Sequence, residues 1–276
     1  MPHHVFLTPG RMDVDLGNRS ALTDHVRSQQ ADILVNCVAY TNVDGAEDEP
    51  DSAYVVNGTY AANLAEASAQ TGIPIVHFST DYEFDGMKSE GYAESDATNP
   101  ISAYGCSKAL GSKLVAKNNP RHYIVRTSRL YGLPGSSPQA KSSFVDLILD
   151  QASREKSFEV NDGEITGPTL VDDLVRHLDT HILSSVQPIP PPPGLYHIAN
   201  TGGATWYAWA KAIVEIAGLP NEIRPRVPTA RPAKRPAHSI LLSTKIPPMR
   251  PWREALEEYL TSDNHPHVPS SHRTWP

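Results

Sequence analysis

Short apolar runs alternate with helix-like segments along most of this 276-residue chain. Near-continuous apolar runs of this length are typical of parallel strands that are covered on both faces. The runs are Val5–Thr8, Ile33–Ala39, Ile75–Ser79, Tyr123–Thr127 and Leu195–Ile198, and the helical segments are Ser20–Gln29, Ser52–Gln70, Ser102–Ala116, Phe144–Ser153 and Val171–Leu183. This alternation predicts an α/β fold with a doubly wound, Rossmann-like parallel sheet.

Tyr104 and Lys108 lie four residues apart in one of the predicted helices. Residues at that spacing share a helix face, and a nearby cation favours the phenolate form of a tyrosine, whose reference pKa is about 10. The preceding strand run ends in Ser79-Thr80, where a hydroxyl could hold a substrate carbonyl while Tyr104 supplies a proton. Because both elements are expected at the carboxyl edge of one sheet, the pattern predicts an acid–base site rather than an exposed helical pair.

Composition excludes several other classes of function. The formal net charge of -7 and an isoelectric point near 5.9 argue against nonspecific nucleic-acid binding. No apolar stretch approaches the roughly 20 residues of a membrane span, and the start has no signal-peptide pattern. The two cysteines, Cys37 and Cys106, indicate neither a disulfide framework nor a metal site. We therefore expect a cytoplasmic protein without membrane, nucleic-acid or metal partners.

Several ordered motifs extend the pattern around the Tyr–Lys pair along almost the whole chain. They are Val35–Asp44 with Ala46-Glu47 and Glu49-Pro50, Ser79–Gly86, Tyr104–Lys108, Arg126–Ser128 with Leu130–Gly132, Gly167–Thr169, Gly194–His197, Thr205–Tyr207, and Arg235-Pro236 with Lys245. In this order and spacing the chain resembles the dTDP-4-dehydrorhamnose reductase family of extended short-chain dehydrogenases. The resemblance implies NADPH or NADH as cofactor and a nucleoside diphosphate 4-keto-6-deoxy sugar as substrate.

The resemblance also implies a role for particular residues. Tyr104 would be the proton donor, Lys108 would lower its pKa and bind the nicotinamide ribose, and Thr80 would meet the keto group of the sugar. The positions that would line the cofactor site are Asp15, Leu16, Ala39, Tyr40 and Thr41, together with Tyr104 and Lys108, and those that would contact the substrate are Thr80, Asp81, Arg129 and Arg235. For Ala39 and its neighbours the alternative is simple packing at a strand end.

By the same resemblance the chain divides into two parts. Residues 1–132 and 170–200 would form the nucleotide-binding core, residues 133–169 and 201–262 a small substrate lobe, and residues 263–276 a loose tail.

Arg235 would hold the diphosphate, or else lie in an exposed basic turn. Arg129 stands where family members often have tryptophan, and Gly163-Glu164 replaces Asp-Gln. Arg129 would either redirect the site toward a more acidic ligand or record a pocket no longer under catalytic demand.

One expected element has no match in the sequence. Enzymes of this type begin with a strand, a glycine-rich turn and a helix whose amides hold the cofactor pyrophosphate. Here the run at Val5 aligns with the family's second strand, Gly10 and Gly17 are isolated, and about two dozen residues of the pattern are missing. Either the start is wrongly placed or the redox cofactor has been lost. The unpaired strand edges that would result favour association, as a homodimer or with a partner protein.

Two other functions compete with a reductase. The first is a non-catalytic nucleotide-sugar-binding or regulatory subunit, for which the regulatory subunit of methionine adenosyltransferase is a precedent on the same scaffold. The missing turn and Arg129 favour it, while intact Thr80, Tyr104 and Lys108 favour chemistry. The second is an epimerase or dehydratase, which usually needs additional acid–base groups that the sequence does not show beside the tyrosine.

Overall fold

The computed structural model describes residues 4–10, 12–135, 142–183 and 191–262. The predicted tail 263–276 and residues 188–190 of the proline-rich stretch 188–193 lie outside these ranges. The α-helices, in chain order, are α1 Arg19–Gln29, α2 Gly45–Asp48, α3 Pro50–Tyr54, α4 Tyr60–Gln70, α5 Ala103–Asn118, α6 Phe144–Arg154, α7 Val171–Leu178, α8 Trp206–Ile216 and α9 Trp252–Thr261. Polar side chains cap the longer ones, as Ser102 does for α5 and Thr205 for α8, where each accepts from a backbone amide three residues on.

The β-strands form one central sheet and two small additional pairs. In chain order they are β1 Leu34–Asn36, β2 Ile75–Thr80, β3 His122–Thr127, β4 Leu130–Tyr131, β5 Ser157–Asn161, β6 Thr169–Leu170, β7 Gly194–His197 and β8 Glu222–Arg226. The central sheet has the order β1-β2-β3-β7, and every pairing in it is parallel. This arrangement confirms the predicted α/β class and four of its five predicted strands.

Helices cover both faces of the central sheet. On one face α1, α4 and α5 pack through residues such as Leu22, Leu64 and Val115 against Ile75 of β2. On the other face α7 packs against the next residue of that strand, Val76. Because successive side chains of a strand point to opposite faces, one apolar run serves both layers. Each fully buried aliphatic side chain contributes about 1.5–3 kcal/mol.

The predicted helix over Ser52–Gln70 forms as three consecutive pieces. α3 and α4 are joined by a π-helical turn, Val55–Thr59, through which the helical backbone continues. Such turns occur often at functional sites. This one buries Asn57 completely, beside the carboxyl end of β1.

The prediction of a strand at Val5–Thr8 is wrong. Val5, Phe6 and Leu7 are 91%, 63% and 51% exposed, and the segment pairs with no strand. An apolar run becomes a strand only where a neighbouring strand offers its backbone groups for hydrogen bonds. This segment is instead held through the residue before it, His4, whose Nε2 lies 2.7 Å from Asp179 Oδ1. Among the described residues β1 is therefore an edge strand, and association through that edge stays a prediction.

A second core lies beyond the carboxyl edge of the sheet. The parallel pair β5 and β8 and the helices α6, α8 and α9 surround Trp209, which packs against Tyr131 and Leu256. The irregular stretch between β8 and α9 returns toward the sheet.

No helix in the described part of the chain is long and apolar enough to cross a membrane. Nor do the described residues contain a cluster of His, Cys, Asp or Glu suited to a metal ion.

Candidate active site

The end of β2 and the first turns of α5 meet at the carboxyl edge of the sheet. Gly105 makes the approach possible, because a Cβ atom at this position would lie 2.3 Å from the Tyr82 carbonyl oxygen. Tyr104 consequently stands edge-on against Tyr82, with 5.6 Å between ring centroids. The structure thus brings Tyr104 and Lys108 to the strand end that carries Thr80, as their spacing predicts.

Lys108 is buried beneath this edge, with a side chain that points back toward β2. Its Nζ donates to the Phe78 carbonyl oxygen at 2.6 Å. Burial lowers the pKa of Lys108 to about 8, and the nearby Glu83 carboxylate opposes the effect. An ammonium has three donors, and this is the one hydrogen bond that Lys108 forms with the described residues. Two donors remain for another ligand.

The pKa of Tyr104 is raised in the structure, whereas the resemblance implied that Lys108 lowers it. Burial raises the pKa of Tyr104 far above its ordinary value, and Asp81, Tyr82 and Glu83 raise it further, while the neighbouring Thr80 hydroxyl opposes them. The ammonium does not reverse this balance because Lys108 is directed at the Phe78 carbonyl. A phenol in such surroundings is neutral at pH 7 and carries a proton that it can donate.

Asp81 is fully engaged by hydroxyl groups. Its Oδ1 accepts from Thr80 Oγ1 at 3.0 Å, and its Oδ2 accepts from Thr166 Oγ1 at 2.9 Å and from Ser239 Oγ at 2.6 Å. Burial raises the pKa of this carboxyl, and the hydroxyl donors oppose that rise. Asp81 thus joins the strand end to Thr166 and Ser239 and fixes the Thr80 hydroxyl, while its contact with substrate stays a prediction.

A buried ion pair supports this strand end from below. Glu83 Oε2 accepts from Arg126 Nε at 2.9 Å and Nη2 at 2.6 Å, while Oε1 accepts from Ser112 Oγ at 2.6 Å and from Ser79 Oγ. The pair links β2, β3 and α5, and thereby joins the strand that carries Thr80 to the helix that carries Tyr104 and Lys108. Sequence reasoning missed Glu83, although a charged residue before the buried Phe84 is a signal that it needs a partner.

Asn57 anchors the predicted cofactor-lining segment Ala39-Tyr40-Thr41, and sequence reasoning missed it as well. Its Oδ1 accepts from the Tyr40 amide at 2.8 Å, and its Nδ2 donates to the Tyr40 carbonyl at 3.2 Å and to Ser107 Oγ at 2.9 Å. The segment that follows β1 is therefore tied directly to α5, between Tyr104 and Lys108. Tyr40 is thereby held beside α5, and the lining of a cofactor site by Ala39, Tyr40 and Thr41 stays a prediction.

Asp15 and Leu16 lie elsewhere, at the start of α1. Asp15 Oδ1 accepts from the Gly17 amide at 2.8 Å, and the Leu16 carbonyl accepts from Asn63 Nδ2 at 2.8 Å. Leu16 also packs against the layer formed by α1 and α4. Their hydrogen bonds with described residues are to that layer and not to Tyr104 or Lys108.

The two predicted substrate arginines occupy different settings. Arg235 is paired with Asp44, with Nη1–Oδ1 and Nη2–Oδ2 both at 2.7 Å, and this pairing lowers the pKa of Asp44 to about 2. Its fork is therefore paired with a carboxylate and its side chain is not exposed, while its contact with the diphosphate stays a prediction. Arg129 lies flat over Trp206, 3.7 Å from its guanidinium carbon to the ring centroid.

A parallel sheet covered on both faces, with a tyrosine and lysine four residues apart at its carboxyl edge, defines a Rossmann-like protein of the short-chain dehydrogenase type. The family described as "RmlD substrate binding domain" matches residues 2–264. The chain belongs to this family. The resemblance to dTDP-4-dehydrorhamnose reductases that its motifs predict is thereby confirmed.

Similar proteins include several that are named as reductases. A dTDP-4-dehydrorhamnose reductase of Sinorhizobium fredii is 38% identical over 256 residues, which cover 89% of this chain and 83% of that protein. A probable dTDP-4,6-dihydroxy-2-methyloxan-3-one 4-ketoreductase of Streptomyces antibioticus is 34% identical over 258 residues, 90% and 84% of the two chains. The solved structure of dTDP-4-dehydrorhamnose reductase from Bacillus anthracis in complex with NADP has a TM-score of 0.83 and 33% identity, covering 91% of this chain and 88% of that one.

Proposed function

We propose that this protein is an NAD(P)H-dependent reductase of a nucleoside diphosphate 4-keto-6-deoxy sugar, of the kind that converts dTDP-4-dehydrorhamnose to dTDP-L-rhamnose. The observation that carries the proposal is the convergence of Tyr104, Lys108 and Thr80 at one edge of the sheet. The named activities of relatives with 38% and 33% identity support it. NADPH and NADH are both candidates, since no residue that reads the ribose 2′ position is identified.

The cofactor-facing residues fit one half of the dinucleotide. Lys108 has two donors left for the hydroxyls of a ribose, and Asn57 holds the segment around Tyr40 beside α5. Among the described residues no glycine-rich turn between a strand and a helix borders β1, so the pyrophosphate half has no counterpart there. The reduced nicotinamide, when bound, would supply the electron pair and the hydrogen that are added to the ketone carbon.

Residues of the protein itself would donate the proton and hold the reacting groups in position. Tyr104 donates its proton to the sugar oxygen as negative charge develops on it, a role that suits a phenol held neutral by burial. Thr80 places its oxygen beside that phenol, and Asp81 fixes the rotation of the Thr80 hydroxyl by accepting its hydrogen. Lys108 would hold the hydroxyls of the cofactor ribose through the two donors that its bond to the Phe78 carbonyl leaves. Asp81 is thus a positioning residue.

The decisive experiment is a titration of the purified chain with NADPH and NADH, followed by nicotinamide fluorescence, and then turnover with dTDP-4-keto-6-deoxy sugar. Micromolar binding and turnover are the expected results. Tyr104→Phe should bind cofactor normally and lose about 10²–10⁴-fold in kcat, the usual contribution of a general acid. Tyr82→Phe is the matched control, because it removes a phenol that stands against Tyr104, and it should cost less than tenfold in kcat.

The contrary outcomes are equally informative. A well-folded protein that binds neither NADPH nor NADH contradicts the reductase and favours a non-catalytic nucleotide-sugar-binding subunit. Equal losses of kcat in Tyr104→Phe and Tyr82→Phe would contradict Tyr104 as the proton donor.

A further inference from the structure

Residues 231–239 form a strap that borders the carboxyl edge of the central sheet. At the end of the strap, the Ala237 carbonyl accepts from the Ile165 amide at 2.8 Å, and the Ser239 amide donates to the Ile165 carbonyl at 2.9 Å. The Ser239 hydroxyl donates to Asp81 Oδ2 at 2.6 Å, directly after the end of β2. One end of the strap is therefore fixed beside the proposed active site.

The other end of the strap is held by the carboxylate of Asp44, in the loop after β1. Asp44 Oδ1 accepts from the Ala233 amide at 3.1 Å and from Arg235 Nη1 at 2.7 Å, and Oδ2 accepts from Arg235 Nη2 at 2.7 Å. Asp44 precedes α2 but makes no capping bond to it. The Arg231–Glu164 ion pair, by contrast, joins the strap to the segment before Ile165, which the strap already contacts. Asp44 thus ties the strap to the end of β1.

Asp44 is closely connected to the segment proposed to line the cofactor site. The next residue, Gly45, donates its amide to Asn42 Oδ1 at 3.0 Å. A Cβ atom at Gly45 would lie 2.9 Å from the Tyr40 hydroxyl, so the Tyr40 side chain packs directly against the turn that carries Asp44. The backbone of Tyr40 is itself held by Asn57. A ligand that fixes Tyr40 therefore also fixes the position of Asp44.

These contacts connect the two proposed ligands through one carboxylate. The cofactor would lie against Tyr40, and the nucleotide sugar at the strand edge that the strap borders. A strap that is already docked loses less conformational entropy when the sugar binds. We infer that Asp44 is a positioning residue, which docks the strap on the loop after β1 so that the cofactor and the nucleotide sugar each strengthen the binding of the other. This inference rests on the proposed function and adds a coupling between its two ligands.

Calorimetric titration with dTDP-L-rhamnose, the proposed product, measures the coupling, because this ligand cannot be reduced by NADPH. In the unaltered protein, saturating NADPH should raise the affinity for dTDP-L-rhamnose by about fivefold or more. In Asp44→Ala this factor should fall below about twofold, while the affinity for NADPH alone stays within about threefold. Asp48→Ala is the matched control, because it removes an exposed carboxylate from the end of α2, and it should preserve the factor.

Limited proteolysis tests the docking of the strap without any ligand. Trypsin does not cleave before proline, so Arg231-Pro232 and Arg235-Pro236 resist it, and the Lys234–Arg235 bond is the one tryptic site within residues 231–239. Cleavage follows the population of the open form when opening and closing are fast. Asp44→Ala removes the charged acceptor, so trypsin should cut its Lys234–Arg235 bond about tenfold faster than that of the unaltered protein or of Asp48→Ala.

Each result bears on one proposal or the other. Equal cleavage of Asp44→Ala and Asp48→Ala at Lys234–Arg235 would overturn the inference, as would a coupling factor that Asp44→Ala leaves unchanged. An unaltered protein that reduces the 4-keto sugar but binds NADPH and dTDP-L-rhamnose independently would also overturn it, without any variant, and would leave the reductase standing. If the unaltered protein binds neither NADPH nor NADH, the reductase fails and the coupling fails with it, whereas the rates of tryptic cleavage alone decide whether Asp44 docks the strap.

Discussion

Lys108→Met should make the protein more stable at neutral pH while abolishing its activity. Lys108 is 3% exposed, and burial lowers its pKa from 10.5 to about 8. Holding the ammonium in the folded state therefore costs about 3 kcal/mol at pH 7. Methionine has a similar length and no charge, so the variant escapes this cost. It loses the hydrogen bond from the ammonium to the Phe78 carbonyl, worth about 2 kcal/mol because the donor is charged, and a net gain of about 1 kcal/mol at pH 7 remains.

The pH dependence isolates the ionisation from the lost hydrogen bond. Between the folded and unfolded pKa values the unfolded chain binds more protons, so raising the pH through this window stabilises the native protein. The cost of the ammonium is fully present below about pH 8 and falls to about 1 kcal/mol at pH 9.5. The stability advantage of Lys108→Met should therefore shrink by about 2 kcal/mol between pH 7 and pH 9.5.

Urea unfolding at the two pH values, followed by circular dichroism, measures the effect. Lys113→Met is the matched control, because Lys113 is exposed on the same helix and its ammonium stays in water. Its free energy of unfolding relative to the native chain should not change with pH. A Lys108→Met advantage that is equal at pH 7 and pH 9.5 would refute the claim that a buried ammonium destabilises the fold.

Three further changes test the contacts that shape the site. Gly111→Ala should lower the free energy of unfolding by about 1–3 kcal/mol, since its Cβ would lie 2.1 Å from the Asn57 carbonyl oxygen; a urea midpoint equal to that of the native chain would contradict this close approach. Arg126→Met should cost about 3–5 kcal/mol by leaving the Glu83 carboxylate buried without its cation, and adding Glu83→Gln should recover part of the loss in the same assay. Asn57→Ala should weaken NADPH binding by roughly tenfold, because Tyr40 loses its backbone anchor, while binding of dTDP-6-deoxyhexose stays within about twofold; a parallel loss for both ligands would indicate general unfolding of the site.

The sequence determined the elements whose signals are local. The apolar runs at β2, β3 and β7 and the helical segments were predicted within a few residues of their observed bounds, because alternation and helical periodicity are read over short windows. The pairing of Tyr104 with Lys108 on one helix face follows from a spacing of four residues in the same way. Their position beside Thr80 follows from the rule that parallel strands end at one edge of the sheet.

The sequence also misjudged one local signal and left the long-range contacts undetermined. Val5 to Thr8 has the composition of a strand but no partner strand, and composition does not show whether a partner exists. The binding of Arg235 to Asp44 joins residues 191 positions apart, and Asp81 is held by Ser239, 158 positions away. Hydrogen bonds of this kind depend on how residues distant in the chain pack against one another, which no short window of sequence contains.

Family membership, the fold class and the pairing of Tyr104 with Lys108 were thus determined by the sequence itself, because each rests on residue type and spacing. Only the tertiary structure decided which charged groups are paired within the protein and which keep a buried atom without a partner among the described residues. It engaged Asp81 and Arg235 internally, and it left Arg129 and Glu164 each with a buried atom that has no partner among the described residues. The physical reason is that the state of a charged group is set by the atoms around it in space, and most of these come from distant parts of the chain.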